Sequence, residues 1–382
     1  MKNLSKRSFS LICILSLLTG LTACGPEVPD LSNPPAANSS ADGSTSTAAT
    51  AAETLKADIS GSNIRMAFDN NFIVDASYSG PADEETDTLF CKVKEINEDT
   101  LINVLFDGDH AEMKNTTTGK SYISGKRKAD IFQTPTESRI SFQTDDFDRY
   151  GNVFQGEFDS DFTGSGELEF MSTSEAADLV KKTLDRFGIG YGDDILIQSY
   201  DLAALESLGN KGKALTEEKT DDPYADYIYQ KEDEFYYITV PHTVGSVPVS
   251  RLSQADIGIY AAVSSKGIEL LDICTILEKD EGSKTGSVKT VDAAKALQTL
   301  HDYYSENKKD KQIEVKNVSF RYYAKLKDDS SGFDLIPVWE IVSAFKTEDD
   351  KLVSNYAEID ASSGEFLTDP EGNPLADSSF FG

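Results

Sequence analysis

Apolar and polar positions change texture sharply along the chain. An apolar run covers Phe9 to Leu21. Residues Gly25 to Thr54 are nearly all Pro, Ala, Ser, Thr, Gly, Asn and Asp. They hold hardly any large apolar side chain to offset the entropy of ordering. From about Leu55 to Met171 short alternating runs take over: Ile64 to Phe68, Phe72 to Tyr78, Leu89 to Ile96 and Arg139 to Phe142. Asn, Asp and Gly clusters separate them, with turns at Asp107-Gly108 and Thr118-Gly119-Lys120, as strands joined by turns require. A weak helical pattern covers Glu98 to Phe106.

At Ser172 the period lengthens. Ser172-Thr173-Ser174-Glu175 has capping-box spacing. Ala177, Val180, Leu184 and Phe187 follow at helical intervals, and Gly188 stands where a left-handed helix cap belongs. Asp194 to Tyr200 then reads as a strand and Leu202 to Leu208 as a short helix ended by Gly209. Phe235 to Val240 with Val247 to Val249 read as a strand pair. Ile259 to Val263 and Ile268 to Ile276 read as another, turning at Lys266-Gly267.

That order of elements recurs. A helix opens at Asp292-Ala293-Ala294, with Leu297, His301 and Tyr304 on one face. Strands follow over Ile313 to Leu326 and Ile336 to Ile341. A hairpin of Tyr356 to Ile359 with Glu365 to Leu367 turns at Ser363-Gly364. Local pairs reinforce the repeat: Glu175-Ala176-Ala177 with Asp292-Ala293-Ala294, Val247-Pro248-Val249 with Ile336-Pro337-Val338, Tyr260-Ala261 with Tyr356-Ala357. Self-similarity of this kind points to two copies of one unit. The fold class is therefore α+β. A β-rich domain over 55–171 precedes helix-plus-antiparallel-sheet units over 172–280 and 288–370, with a tail over 371–382. In the strand Leu335 to Val342, Glu340 marks the wetter face, so the single tryptophan, Trp339, is expected to point at the helix.

The ends of the chain carry the clearest functional signal. Lys2, Lys6 and Arg7 precede an apolar run too short for a membrane span of about 20 residues. That is the layout of a secretory signal. Leu21-Thr22-Ala23-Cys24 then resembles a bacterial lipobox. The resemblance implies cleavage after Ala23 and a diacylglycerol on the Cys24 thiol, hence a signal peptide over 1–23 and a lipidated linker over 24–54. Several acyl chains make a stable anchor where one is marginal. A coil of about 30 residues reaches roughly 30 Å from the lipid surface. Of the 36 basic residues three lie in the signal, which holds none of the 66 acids, so 33 bases against 66 acids give the mature chain a charge of −33. Such a surface repels nucleic acid and anionic head groups.

The C-terminal unit also resembles a PepSY or YycI-type module. The resemblance rests on the Asp292-Ala293-Ala294 helix, the strand Leu335-Ile336-Pro337-Val338-Trp339-Glu340-Ile341 and the hairpin Tyr356-Ala357-Glu358-Ile359-Asp360-Ala361-Ser362-Ser363-Gly364-Glu365. It covers Val288 to Leu367 well and Ser172 to Leu277 loosely. It implies a helix packed on a small antiparallel sheet, an extracytoplasmic setting, often in Gram-positive lipoproteins, and a role in restraining peptidases or sensor kinases. It carries no catalytic residue.

Candidate chemistry is sparse. Histidines stand only at 110, 242 and 301. His301 shares a helix face with Leu297 and Tyr304, which favours packing over catalysis, and His242 follows Pro241 near a loop. Asp159-Ser160-Asp161-Phe162-Thr163-Gly164 has alternating oxygen ligands and a glycine, but a calcium loop wants Glu at its twelfth position and Phe170 stands there. Asp145, Asp146, Asp148 and Glu217, Glu218, Asp221, Asp222 read as solvated loops. Tyr224, Tyr227, Tyr229, Phe235, Tyr236 and Tyr237 read as core-packing strand residues. Cys91 and Cys274, each in an apolar run, read as buried free thiols. No cofactor or metal site is expected. The chain reads as a non-enzymatic lipoprotein on the outer face of the cell membrane, held through Cys24 and binding or regulating a protein partner. A solute- or glycan-binding lipoprotein is the alternative, and a hydrolase with paired carboxylates ranks third.

Overall fold

The computed structural model describes residues 57–81, 83–157, 164–215, 224, 226–281, 286–308, 311–346, 352–369 and 372–376. Cys24 and the linker lie outside these, as do Asp159 to Thr163 and Glu217 to Asp222. In chain order, β1 (Asp58–Ser60), β2 (Asn63–Asp69) and β3 (Phe72–Ser79) precede β4 (Glu85–Asp87), β5 (Leu89–Val93) and α1 (Glu98–Leu105). Next come β6 (Glu112–Asn115), β7 (Lys120–Ser124), β8 (Arg127–Gln133), β9 (Ser138–Thr144), a 3₁₀ turn (Asp145–Tyr150) and α2 (Gly151–Glu157). The middle holds α3 (Thr173–Phe187), β10 (Leu196–Tyr200), α4 (Leu202–Leu215), β11 (Phe235–Val240), β12 (Thr243–Val244) and β13 (Val247–Pro248). A hairpin of β14 (Gly258–Ser264) and β15 (Gly267–Cys274) follows, then β16 (Leu277–Lys279) and β17 (Ser287–Lys289). The chain closes with α5 (Ala293–Asn307), β18 (Ile313–Leu326), β19 (Phe333–Lys346) and β20 (Leu352–Asp360).

Two eight-stranded sheets organise these elements, as the α+β class requires. In the first, the order is β1-β2-β3-β18-β19-β5-β16, and β20 also pairs with β19. In the second it is β10-β11-β14-β15-β9-β8-β7-β6. Residues 55–171 therefore do not pair as a domain of their own. β1 to β3 join the first sheet through the parallel pairing of β3 with β18, while β6 to β9 join the second through β9 and β15. The cause is the buried side of the N-terminal strands. Ile64, Met66, Phe72 and Val74 point inward at every second position and share one core with Leu297, Leu300 and Trp339. α5 and its strands cover that stripe.

The second sheet is buried on both faces at its centre, while its edge strand β6 is exposed. Tyr236, Ile238 and Val240 of β11 pack with α1 and α3, and Phe235 and Tyr237 pack with α2 and α4. The run Phe235 to Val240 is thus apolar throughout instead of alternating. β11 pairs with β10 and β14, whereas Val247-Pro248 forms a separate hairpin with Thr243-Val244, so the expected pairing of 235–240 with 247–249 is replaced.

Each of the two long helices leads into antiparallel strands, and the local sequence matches do not fall at matching positions. α3 leads into the meander β10-β11-β14-β15, and α5 into β18-β19-β20 closed by the Ile359–Phe366 bridge. Ser172 and Asp292 are the N-caps. Counted from them, buried Ala176, Val180 and Leu184 correspond to Ala296, Leu300 and Tyr304. Glu175-Ala176-Ala177 and Asp292-Ala293-Ala294 are three positions out of step. Val247-Pro248 and Ile336-Pro337 are not equivalent either, because Pro337 lies within β19. Its position there has a reason. On one side β19 pairs with β5 as far as Leu335 and with β20 from Val338. Pro337 O accepts from Ala361 N on that side, so its missing N–H falls at the seam between partners. Tyr260 and Tyr356 each stand on a strand that precedes a turn glycine with positive φ, Gly267 at 102° and Gly364 at 75°.

Gly209 does not end α4, which continues to Leu215. A Cβ on Gly212 would lie 1.8 Å from Asn152 O, and one on Gly156 would lie 1.9 Å from Leu208 O. These glycines let α2 and α4 touch backbone to backbone. Gly212→Ala would gain about 1 kcal/mol of helix propensity at an exposed site. Here the clash should win, and the variant should lose about 1–3 kcal/mol. A denaturant midpoint that rises instead would reject the close crossing.

Candidate functional site

The expected helix starts form as their sequences dictate. The Ser172 side chain accepts from Glu175 N, and Glu175 returns a bond to Ser172 N. Asp292 accepts from Lys295 N at 2.9 Å. Gly188 takes the left-handed conformation at φ 64°. Asn97 caps α1 by accepting from Thr100 N at 2.9 Å.

His110 is exposed. His242 is buried where the two sheets meet. Its Nδ1 lies 3.0 Å from Gly190 O, and its Nε2 lies 3.1 Å from both O and N of Leu277. Leu277 opens β16 of the first sheet, while Gly190 follows α3 beside the second. Burial pushes the His242 pKa below the ordinary imidazole value. The ring is a neutral staple between the sheets.

His301 lies near a cavity of 150 Å³ lined by Asp69, Tyr304, Ser305 and Lys308 among others. Its Nε2 is 3.0 Å from Asp69 Oδ2 and 3.3 Å from Ser305 Oγ, and its Nδ1 is 3.2 Å from Asp302 Oδ1. Serine, histidine and aspartate therefore do meet. The geometry is that of a clamp. An Nε2–H donated to Asp69 cannot also accept the Ser305 proton. The ring stacks on Phe68 with centroids 4.7 Å apart, and its bond holds Asp69 below the usual carboxylate pKa. His301 fastens α5 to the β2–β3 turn.

The buried charge lies elsewhere. Glu340, expected on the wetter face, is buried. It sits opposite Glu358 across the β19–β20 ladder. Arg321 Nε is 2.7 Å from Glu340 Oε1, and Ser250 Oγ is 2.9 Å from Glu340 Oε2 and also bonds Glu358 Oε1. Glu358 is 0% exposed, and its Oε2 meets no hydrogen-bond partner among the described residues. Burial first, and then the neighbouring Glu340 charge, push its pKa well above the carboxylate range. A second cluster joins Arg149 to Glu269 through bonds of 2.9 and 3.0 Å. A third pairs Glu157 with Tyr200 at 2.7 Å, and burial pushes Glu157 up to about 7.

None of these three clusters stands out from the chain alone. The available signal was an acid flanked by large apolar residues inside a strand: Trp339-Glu340-Ile341, Ala357-Glu358-Ile359 and Ile268-Glu269-Leu270. In a strand buried on both faces such an acid has nowhere wet to go. The run Asp145, Asp146, Asp148, read as a solvated loop, forms a 3₁₀ turn around buried Phe147, Arg149 and Tyr150. Tyr229, Phe235, Tyr236 and Tyr237 are all buried, in line with core packing. Cys91 and Cys274 are buried in separate cores, with no disulfide between them. The larger open cavity, 630 Å³, lies between β5 and the β18–β19 turn, with Phe90, Lys325, Lys327, Asp329 and Asp334 among its lining. Among the described residues no helix is long and apolar enough to cross a membrane, and no three His, Cys, Asp or Glu side chains are grouped to hold a metal.

No family model and no curated protein matches the chain. Among solved structures, an uncharacterized protein from Eubacterium rectale is similar at 17% identity and a TM-score of 0.55. The likeness spans 80% of this chain and 92% of the other. At that identity it is a likeness of fold.

Proposed function

We propose that the protein is an extracytoplasmic lipoprotein, anchored by lipid on Cys24, whose body binds or regulates a partner protein such as a sensor kinase or peptidase without catalysis of its own. The observation that carries this reading is the repeated layout of α3 and α5. Each leads into an antiparallel meander that closes at a glycine turn. That is the layout a PepSY or YycI-type module would have. The lipobox residues Leu21-Thr22-Ala23-Cys24 and the acidic mature chain supply the setting. His242, His301 and Glu340 spend their polar atoms on neighbouring elements, which suits a presenting scaffold.

A second reading, solute or glycan binding, is favoured by the open 630 Å³ cavity with its mixed lysine, aspartate and aromatic lining. Capture of the protein from its native membrane separates the two. Recurrent recovery of one kinase or peptidase supports regulation, and a co-purified small molecule lost on mutating the cavity supports binding. The anchor has its own test. Cys24→Ser should leave the signal uncleaved and the protein without lipid in an intact-mass measurement. An unmodified mature terminus elsewhere in the wild type would reject the anchor.

A further inference from the structure

β18 is covered along one edge by β3 only from Ile313 to Ser319. Beyond that point a different segment takes over the edge, residues 249–254, which belong to the connection between β13 and β14. Val249 bridges to Tyr322 in parallel. Ser250 N donates to Tyr322 O at 2.7 Å and Gln254 N to Ala324 O at 3.0 Å. Ala324 N donates to Ser253 Oγ at 2.9 Å, and Leu326 N to Gln254 Oε1 at 2.9 Å. The segment brings Val249, Ala255 and Ile257 over Cys91, Phe333 and Leu335. The segment comes from the unit that builds the second sheet, yet it lies along the first sheet as a strand would.

Its attachment runs through a hydroxyl that counts protons. Ser250 Oγ has one hydrogen and faces two carboxyl groups, Glu340 Oε2 and Glu358 Oε1. It also accepts from Leu252 N at 3.0 Å. One hydrogen satisfies one carboxylate. The other contact is repulsive unless its carboxyl carries a proton and donates back. Glu340 has Arg321 as counter-ion, and Glu358 has none within bonding distance among the described residues.

We propose that Ser250, Glu340 and Glu358 form a proton-held latch, in which Glu358 keeps a proton, Ser250 passes a hydrogen bond on to Glu340, and loss of that proton releases segment 249–254 from β18. The groups facing the latch are few. Arg321 and Tyr323 come from β18, Glu340 from β19, Tyr356 from β20 and Arg251 from the segment itself. Ionising Glu358 would place two negative charges on one hydroxyl inside the protein. The direction of the pH effect follows from the raised Glu358 equilibrium. The latch's contribution is full below the ordinary carboxylate value and is lost as pH rises through the value Glu358 has in the fold. The released segment would uncover an apolar face on the first sheet and loosen its tie to the second.

Hydrogen exchange on the full mature chain tests this. Protection factors at the Ser250 and Gln254 amides, corrected for intrinsic rates, would be compared at about pH 6 and about pH 9. Amides of β14 report global opening. The latch predicts a fall of about tenfold or more at 250 and 254, with β14 unchanged, and no such fall in Glu358→Gln, whose amide needs no ionisable proton. Equal protection at both pH values in the wild type, or the same fall in Glu358→Gln, would overturn it. Should Glu358→Gln fail to fold, Glu340→Gln removes the same repulsion and must also abolish the fall.

Discussion

Trp339→Ala should destabilise the first sheet by about 3–5 kcal/mol, the usual cost of truncating a fully buried large aromatic. The indole is 1% exposed. It stands on β19, stacks on Tyr78 of β3 at 6.0 Å and meets Phe320 of β18 edge-on at 5.5 Å. Its Nε1–H donates to Val291 O at 3.0 Å, just before α5. One side chain therefore ties the N-terminal strands, the C-terminal strands and the helix entry together. From the chain alone the loss would be confined to the C-terminal unit, with the β-rich N-terminus surviving. The pairing of β3 with β18 changes that expectation. β1 to β3 should open together with α5 and β18 to β20, because they share one core. Exchange protection in β2 and β3 should fall with that of β18 in the variant. The wild-type emission should be blue-shifted and poorly quenched by acrylamide. A red, quenchable emission with unchanged stability in the alanine variant would reject the core role.

Local structure was legible wherever the signal was itself local. The Ser172 capping box, the Gly188 cap and the turns at Gly267 and Gly364 each depend on a few neighbouring residues, and each formed where its residues stand. Trp339 was legible because strand alternation fixes its side. What escaped was non-local. β3 pairs with β18 across more than two hundred residues, and nothing in either strand names the other. Gly209 has the look of a helix stop, but its missing side chain makes room for the Tyr229 ring, and α4 runs on to Gly212, which meets the backbone of α2. From the chain alone Glu340 belongs in water, as acids usually do. Whether a counter-ion, a hydroxyl and a neighbouring acid converge on it is decided by Arg321, Ser250 and Glu358, which lie on three other segments.

Arg149→Met should be as costly as any single change in the second sheet. Arg149 is 2% exposed, and its two terminal nitrogens bond both oxygens of Glu269, which is equally buried. Its Nε also lies 3.0 Å from Asp233 Oδ1, as an ion pair off the hydrogen-bond line. The guanidinium stacks on the Tyr150 ring at 4.2 Å. Tyr227 Oη donates to Asp233 at 3.1–3.2 Å, and Tyr229 Oη to Arg149 O at 2.9 Å. The network links the 3₁₀ turn, β15 and the turn before β11. Methionine keeps much of the volume, so the change leaves two buried acids without a cation and little cavity. Breaking a buried pair from one side typically costs about 3–5 kcal/mol. The excess over a packing loss should respond to pH. An unpaired Glu269 would bind its proton more tightly folded than unfolded, so the variant's deficit should shrink as pH falls toward the ordinary carboxylate value. Adding Glu269→Gln should recover part of the loss, since the amide needs no counter-ion, while the same change in the wild type strands Arg149 and costs stability. Urea melts of the four proteins at two pH values give the coupling directly. Additive costs with no pH dependence would show that Arg149 contributes by packing against Tyr150 and that its charge is incidental to the fold.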